Sequence, residues 1–228
     1  MSFTKVAFEN KISKPVREIQ VHTLNDNDFT NILKYLNAII DIKESIMLKD
    51  NSIGELWNEI VYDILSSIHS ASCGFYRSAI VVLRSILELG CSSFFYYDHK
   101  VEYGIFQNEN AKADKYVSTL VNEFDFYKTR YIRIFYSDIE NKQNKEDSVS
   151  EFLKHIYATL SDIVHGRYNS LIKAKNLEVK YEKELFKKFE KLFVETLSIL
   201  AVMFVLRFNE SLNSDVTELA NLTKVVIL

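Results

Sequence analysis

One proline, Pro15, and five glycines serve all 228 residues. So few turn formers exclude a turn-rich all-β fold and point to long helices joined by short connections. The two cysteines, Cys73 and Cys91, form no Cys-x-x-Cys pair. Read as lying on one helix, they would stand about 27 Å apart, beyond disulfide reach. Two reduced thiols, and no apolar export segment after Met1, lead to the expectation of a cytoplasmic protein. A basic excess is missing as well: the formal net charge is −3. Any nucleic-acid contact must therefore come from a local patch rather than a global field. The apolar run Thr196 to Leu206 has 11 residues between Glu195 and Arg207. That is too short for a membrane span and reads as a buried helix, so no membrane partner is expected. Phosphate-binding glycine loops, His-Glu-x-x-His and clustered Cys/His are absent too, which argues against a metal and gives no cofactor.

What is present suits a single helical domain with a sizeable core: 47% of residues are hydrophobic and 26% charged. Residues 1–26 lack a helical period. Pro15 disfavours α geometry just before it, and Glu18 to Thr23 alternates, so this part reads as an extended N-terminal arm. Residues 27–228 read as one all-α domain. Its first helix carries Phe29, Ile32, Leu36 and Ile39, and its second carries Ile53, Trp57, Ile60 and Ile64. A third runs from near Gly74 to about Asp98. His99 to Lys112 reads as a loop, Ala113 to Asn122 and Phe126 to Asp138 as moderate helices, and Glu140 to Ser148 as a mobile surface bridge. Val149 to Val164 is a helix stopped by Gly166. A long helix spans about 178–212, and the apolar end Lys224 to Leu228 is expected to dock on the body or on a neighbouring subunit.

Chemistry concentrates in two stretches. The third helix carries Arg77, Arg84 and Glu88 in an apolar neighbourhood, with Arg84 and Glu88 four apart on one face. Charges on a mostly buried helix need partners, so this helix is either a salt-bridge brace or one wall of a polar site. The second stretch is Tyr157 to Tyr168, where His165 closes a helix just before Gly166. Its plainer role is to close that helix together with Asp162. Arg130, Tyr131 and Arg133 mix cations with an aromatic, as single-stranded RNA surfaces do. An amphipathic helix with snorkelling arginines has the same composition.

The Arg-bearing helix (Leu83-Arg84-Ser85-Ile86-Leu87-Glu88) followed by Tyr157-x-x-Leu160-Ser161-x-x-Val164-His165-Gly166 resembles the HEPN-like helical domains of bacterial defence and toxin–antitoxin systems. The resemblance covers roughly residues 55–210. It implies a helical bundle, commonly a homodimer, with metal-independent RNase activity or RNA binding, and a protein partner from a defence or antitoxin system. On this basis His165, Arg84 and Glu88 are the candidate catalytic residues, and Arg167, Arg130, Arg133 and Tyr131 the candidate RNA contacts. One departure is clear. The family's R-x4-6-H motif would need an arginine at 158, 159 or 160, where this chain has Ala158, Thr159 and Leu160. The alternative from another class is a non-catalytic dimerisation or interaction module whose Arg–Glu–His network is structural.

Overall fold

The computed structural model describes residues 4–109, 116–167 and 179–228. Among the described residues every regular element is helical, and the one β-type contact is an isolated antiparallel bridge between Gln143 and Val226. The fold class expected from the scarcity of turn formers is the one observed.

The N-terminal segment corrects the sequence reading. It is helical rather than extended: α1 (Lys5–Phe8), one wide turn (Glu9–Ser13), then α2 (Lys14–Asp26). Pro15 sits in the first turn of α2, where its missing N–H is not needed and its fixed φ suits the helix. The apparent alternation at 18–23 is one helical face: Ile19 and Thr23, four apart, are buried against the body, whereas Val21 is exposed.

Helices α3 (Thr30–Lys49), α4 (Asn51–Ser72) and α5 (Tyr76–Asp98) form the first layer. Asp50 caps α4 by accepting from the Ser52 and Ile53 N–H groups. The α4–α5 turn runs through Gly74 at φ +84, where a Cβ would also crowd the Lys180 carbonyl. The two helices pack antiparallel, tied by the Ser67 hydroxyl donating to the Ala79 carbonyl at 2.9 Å. Cys73 ends α4 and Cys91 lies within α5, so they are not on one helix; both are free and buried.

The stretch 99–108, expected as a loop, is the helix α6 (Lys100–Asn108). Its Tyr103 donates to the Ser52 carbonyl at 2.7 Å, and Tyr96 stacks on Phe106. The segment after α7 (Val117–Glu123) is more broken than its periodicity suggests. Asp125 and Tyr127 have φ of 51° and 54°, which ends each helical run, and only α8 (Thr129–Ile132) and α9 (Ile139–Lys142) remain. The Ala113 to Lys115 end of the expected helix lies outside the described residues.

α10 (Ser148–Val164) follows, then α11 (Lys183–Phe208) and α12 (Ser214–Asn221). In α11 every residue from Thr196 to Leu206 is buried, the signature of a helix surrounded by others. α5 is long and apolar enough to cross a membrane by composition, the one such helix among the described residues, yet more than half of that window is buried between α4, α10 and α11. The bridge 140–148 is held rather than free. Ile227 donates to the Lys142 carbonyl at 2.7 Å, and the Ser148 hydroxyl to the Val225 carbonyl at 2.9 Å. The apolar C-terminal end thus docks on the body, as its composition leads one to expect.

α5 and α11 run parallel in close contact at Gly90, where an added Cβ would lie 2.4 Å from a Leu200 methyl carbon. Gly90→Ala gains about 1 kcal/mol of helix propensity, which offsets the displaced methyl. Gly90→Val adds more volume than Leu200 can yield, so we expect a loss of about 1–3 kcal/mol in chemical denaturation.

Candidate functional site

α10 lies antiparallel across α5, and Tyr157, Ser161 and, just past its end, His165 follow one turn apart on the side toward that helix. Arg84 reaches out between them. Its Nε donates to Glu88 Oε1 at 3.1 Å, its Nη2 donates to the Tyr157 hydroxyl at 3.1 Å, and its Nη1 stands 3.4 Å from His165 Nε2. Tyr157 closes the circuit by donating to Glu88 Oε1 at 3.1 Å, and its ring lies 5.2 Å from the Arg84 guanidinium carbon. The sequence candidates Arg84, Glu88 and His165, separated by up to 81 residues, are therefore brought together.

Electrostatics keep the charge on Arg84 and the proton on Tyr157. Burial works against the Arg84 charge, but the Glu88 carboxylate and the Tyr157 hydroxyl outweigh it and hold the guanidinium above its ordinary range. Burial, reinforced by Glu88, also raises Tyr157, so its hydroxyl keeps its proton at neutral pH. A guanidinium has no acceptor, so His165 Nε2 must accept from Arg84. That contact is a hydrogen bond only in the tautomer that carries its proton on Nδ1. His165 itself is exposed, whereas the Arg84 side chain is only 16% accessible.

The end of α10 is built to present His165. Gly166 at φ +65 donates to the Ile163 carbonyl at 3.3 Å and Arg167 to the Asp162 carbonyl at 3.1 Å, a paired C-terminal closure that needs the left-handed glycine. Arg77 adds a cation beside these carbonyls, with Nη2 at 3.4 Å from Val164 O and 3.5 Å from Ile163 O. Arg167 pairs with Asp162 at 2.9 Å, the residue expected to help His165 close the helix. The Ser161 Oγ is buried and has no hydrogen-bond partner among the described residues.

The other candidate RNA contacts lie elsewhere. Tyr131 donates to Asp98 at 2.8 Å and packs among Phe126, Tyr127 and Phe135, so its ring is not an open stacking platform. Arg130 pairs with Asp125 and Arg133 with Glu140. The Tyr131 partner, Asp98, is 14 residues along α5 from Arg84, about 21 Å. The structure does not join these residues to the Arg84–His165 group. A polar surface cleft of about 310 Å³, lined by Thr129, Glu140 and residues 143–146, is at the opposite end of α10 from His165.

Two members of the site escaped selection from sequence. Tyr157 stands eight residues before His165, two turns on the same face, and Arg77 stands seven before Arg84. Both spacings were visible, but nothing in one helix reveals which face its neighbour will cover. No His, Cys, Asp or Glu cluster among the described residues is arranged to hold a metal. Compared with known proteins, the chain matches no family model, no curated protein and no solved structure.

Proposed function

We propose that this chain is a HEPN-like bacterial RNA-binding protein and metal-independent ribonuclease of a defence or toxin–antitoxin system, cytoplasmic and homodimeric, with an antitoxin or defence protein as partner. The observation that carries this reading is the 3.4 Å approach of Arg84 to an exposed His165 across the α5–α10 seam. The arginine that the R-x4-6-H motif would place on the histidine's own helix is supplied here from another helix. Metal-free RNA cleavage needs a group to move the 2′-hydroxyl proton and a cation for the charge that builds on phosphate. The 2′-oxygen then attacks phosphorus, the P–O5′ bond breaks, and the leaving oxygen takes up a proton. His165 gives its proton to the leaving oxygen while water takes up the 2′-hydroxyl proton, an arginine of the seam carries the phosphate charge, and Glu88 and Tyr157 orient Arg84.

A second reading has its own support. The Arg84 side chain is 16% accessible and is engaged by Glu88, Tyr157 and His165, as a brace between helices would be. An Arg84→Ala/His165→Ala double variant, compared with wild type for host growth and total-RNA integrity, separates the two. The ribonuclease reading expects toxicity and RNA fragments from wild type that vanish in a folded double variant. Intact RNA from both, with a lowered melting temperature in the variant, selects the interaction module with a structural network.

A further inference from the structure

The three arginines at the seam are not equivalent. Arg167 is neutralised by Asp162 at 2.9 Å. Arg84 is neutralised by Glu88 and has each of its three nitrogens committed to a neighbour. Arg77 differs: it is exposed, and no carboxylate pairs with it among the described residues. Only its Nη2 has an acceptor among those residues, two helix-end carbonyls at the long distances of 3.4 and 3.5 Å. Nε and Nη1, with three N–H donors between them, have none.

His165 follows Val164, whose carbonyl Arg77 touches, so the two side chains share the end of α10. With Nε2 accepting from Arg84, His165 presents an Nδ1–H donor rather than a lone pair. Arg77 lies seven residues from Arg84, about 10.5 Å along the same face of α5. Among the described residues, this edge therefore offers hydrogen-bond donors and one unneutralised cation, and no carboxylate pairs with Arg77. That is the chemistry of a single anionic group.

We infer that Arg77 and the His165 Nδ1–H form the phosphate-contacting pair of the site, taking one phosphodiester of single-stranded RNA, and that Arg84 is a positioning residue that fixes the His165 tautomer. This rests on the RNA reading above and divides its cationic roles. Charge balance among the described residues fits one phosphate: Arg77, Arg84 and Arg167 face Glu88 and Asp162, which leaves one positive charge.

The test is binding of a short single-stranded oligouridylate to the full chain over a salt series. Arg77→Gln keeps a donor for the α10 carbonyls while removing the charge, so the fold is retained, and circular dichroism checks it. Arg77→Gln should weaken binding about tenfold, as expected for a lost charge-assisted contact. It should also flatten the slope of log K against log salt by about 0.7, one single-strand phosphate. Arg77→Lys should restore the slope. Arg84→Ala should mix the His165 tautomers, read from imidazole ¹⁵N shifts. Tight binding by wild type with an unchanged slope in Arg77→Gln overturns the assignment while sparing the RNA reading. No binding by wild type removes both.

Discussion

Asp98→Ala should lower stability by about 3 kcal/mol, the low end for breaking an ion pair that folding has largely taken out of water. For a chain of this size that is a drop of about 6–12 °C in Tm. Arg207 grips Asp98 with Nε at 3.1 Å and 3.2 Å from its two carboxylate oxygens. Tyr131 donates to the same carboxylate at 2.8 Å. The guanidinium carbon of Arg207 lies 3.9 Å from the Phe135 ring centroid and 5.1 Å from that of Tyr97. Both charged side chains are less than one fifth accessible. Removing Asp98 leaves a cation walled by aromatic rings with no other carboxylate paired to it among the described residues. Burial disfavours the Arg207 charge, and it is Asp98 that outweighs this and keeps the arginine above its ordinary range. Replacing both partners together, as Asp98→Leu/Arg207→Met, should cost less than Asp98→Ala alone, because no orphaned charge remains. Thermal unfolding of the two variants checks the order. If the double variant is the less stable, the pair is a net source of stability rather than a mutual neutralisation.

This pair shows why the candidate site was only partly readable from the residues. Asp98 and Arg207 are 109 apart, and neither stands in a recognisable spacing with the other. Arg84 and Glu88 are four apart on one helix, so their pairing follows from local geometry alone. The contact of Arg84 with His165 depends on how α10 crosses α5, which no periodicity encodes. Tyr131 was misplaced for the same reason: its neighbours Arg130 and Arg133 are cationic, but its own contacts are made by distant Asp98 and by the rings of Phe126 and Tyr127.

The fold was more transparent wherever one helix carried its own evidence. The run Thr196 to Leu206 is apolar on every face and is buried on every face. Gly166 marks the end of α10 because only a residue at ease with φ of 65° completes that closure. The failures are equally physical. A proline warns of extended structure before it, but in the first turn of α2 it is harmless. α12 was missed although Asn213 caps it through the Asp215 and Val216 N–H groups, and Val216, Leu219 and Ala220 keep helical spacing on its buried side. That element is short, and its pattern is diluted by polar residues on both flanks.

The largest single loss expected in the core is at Trp57, the only tryptophan in the chain. Its indole is fully buried and meets Phe94 edge to face at 5.7 Å, and Phe94 meets Tyr127 at 6.0 Å and Phe208 at 6.5 Å. Tyr127 donates to the Met203 carbonyl at 2.8 Å. This row of rings joins α4, α5, the 126–131 segment and α11, and it ends beside the Arg207 pair. Trp57→Ala empties the row at its α4 end and should cost about 3–5 kcal/mol. Trp57→Phe should cost less than about 1.5 kcal/mol for a specific reason. The indole Nε1–H is buried with no acceptor among the described residues, so the native residue already bears an unmet hydrogen bond of about 1–3 kcal/mol. Phenylalanine removes that cost while it loses some packing volume. Because both variants lack the only indole, urea unfolding has to be followed by far-ultraviolet circular dichroism. A Trp57→Phe loss as large as that of Trp57→Ala would mean that the N–H has a partner, most simply the π face of a neighbouring ring. Such a partner would make the indole's orientation, and not only its volume, a determinant of how α4 and α5 pack behind the Arg84 seam.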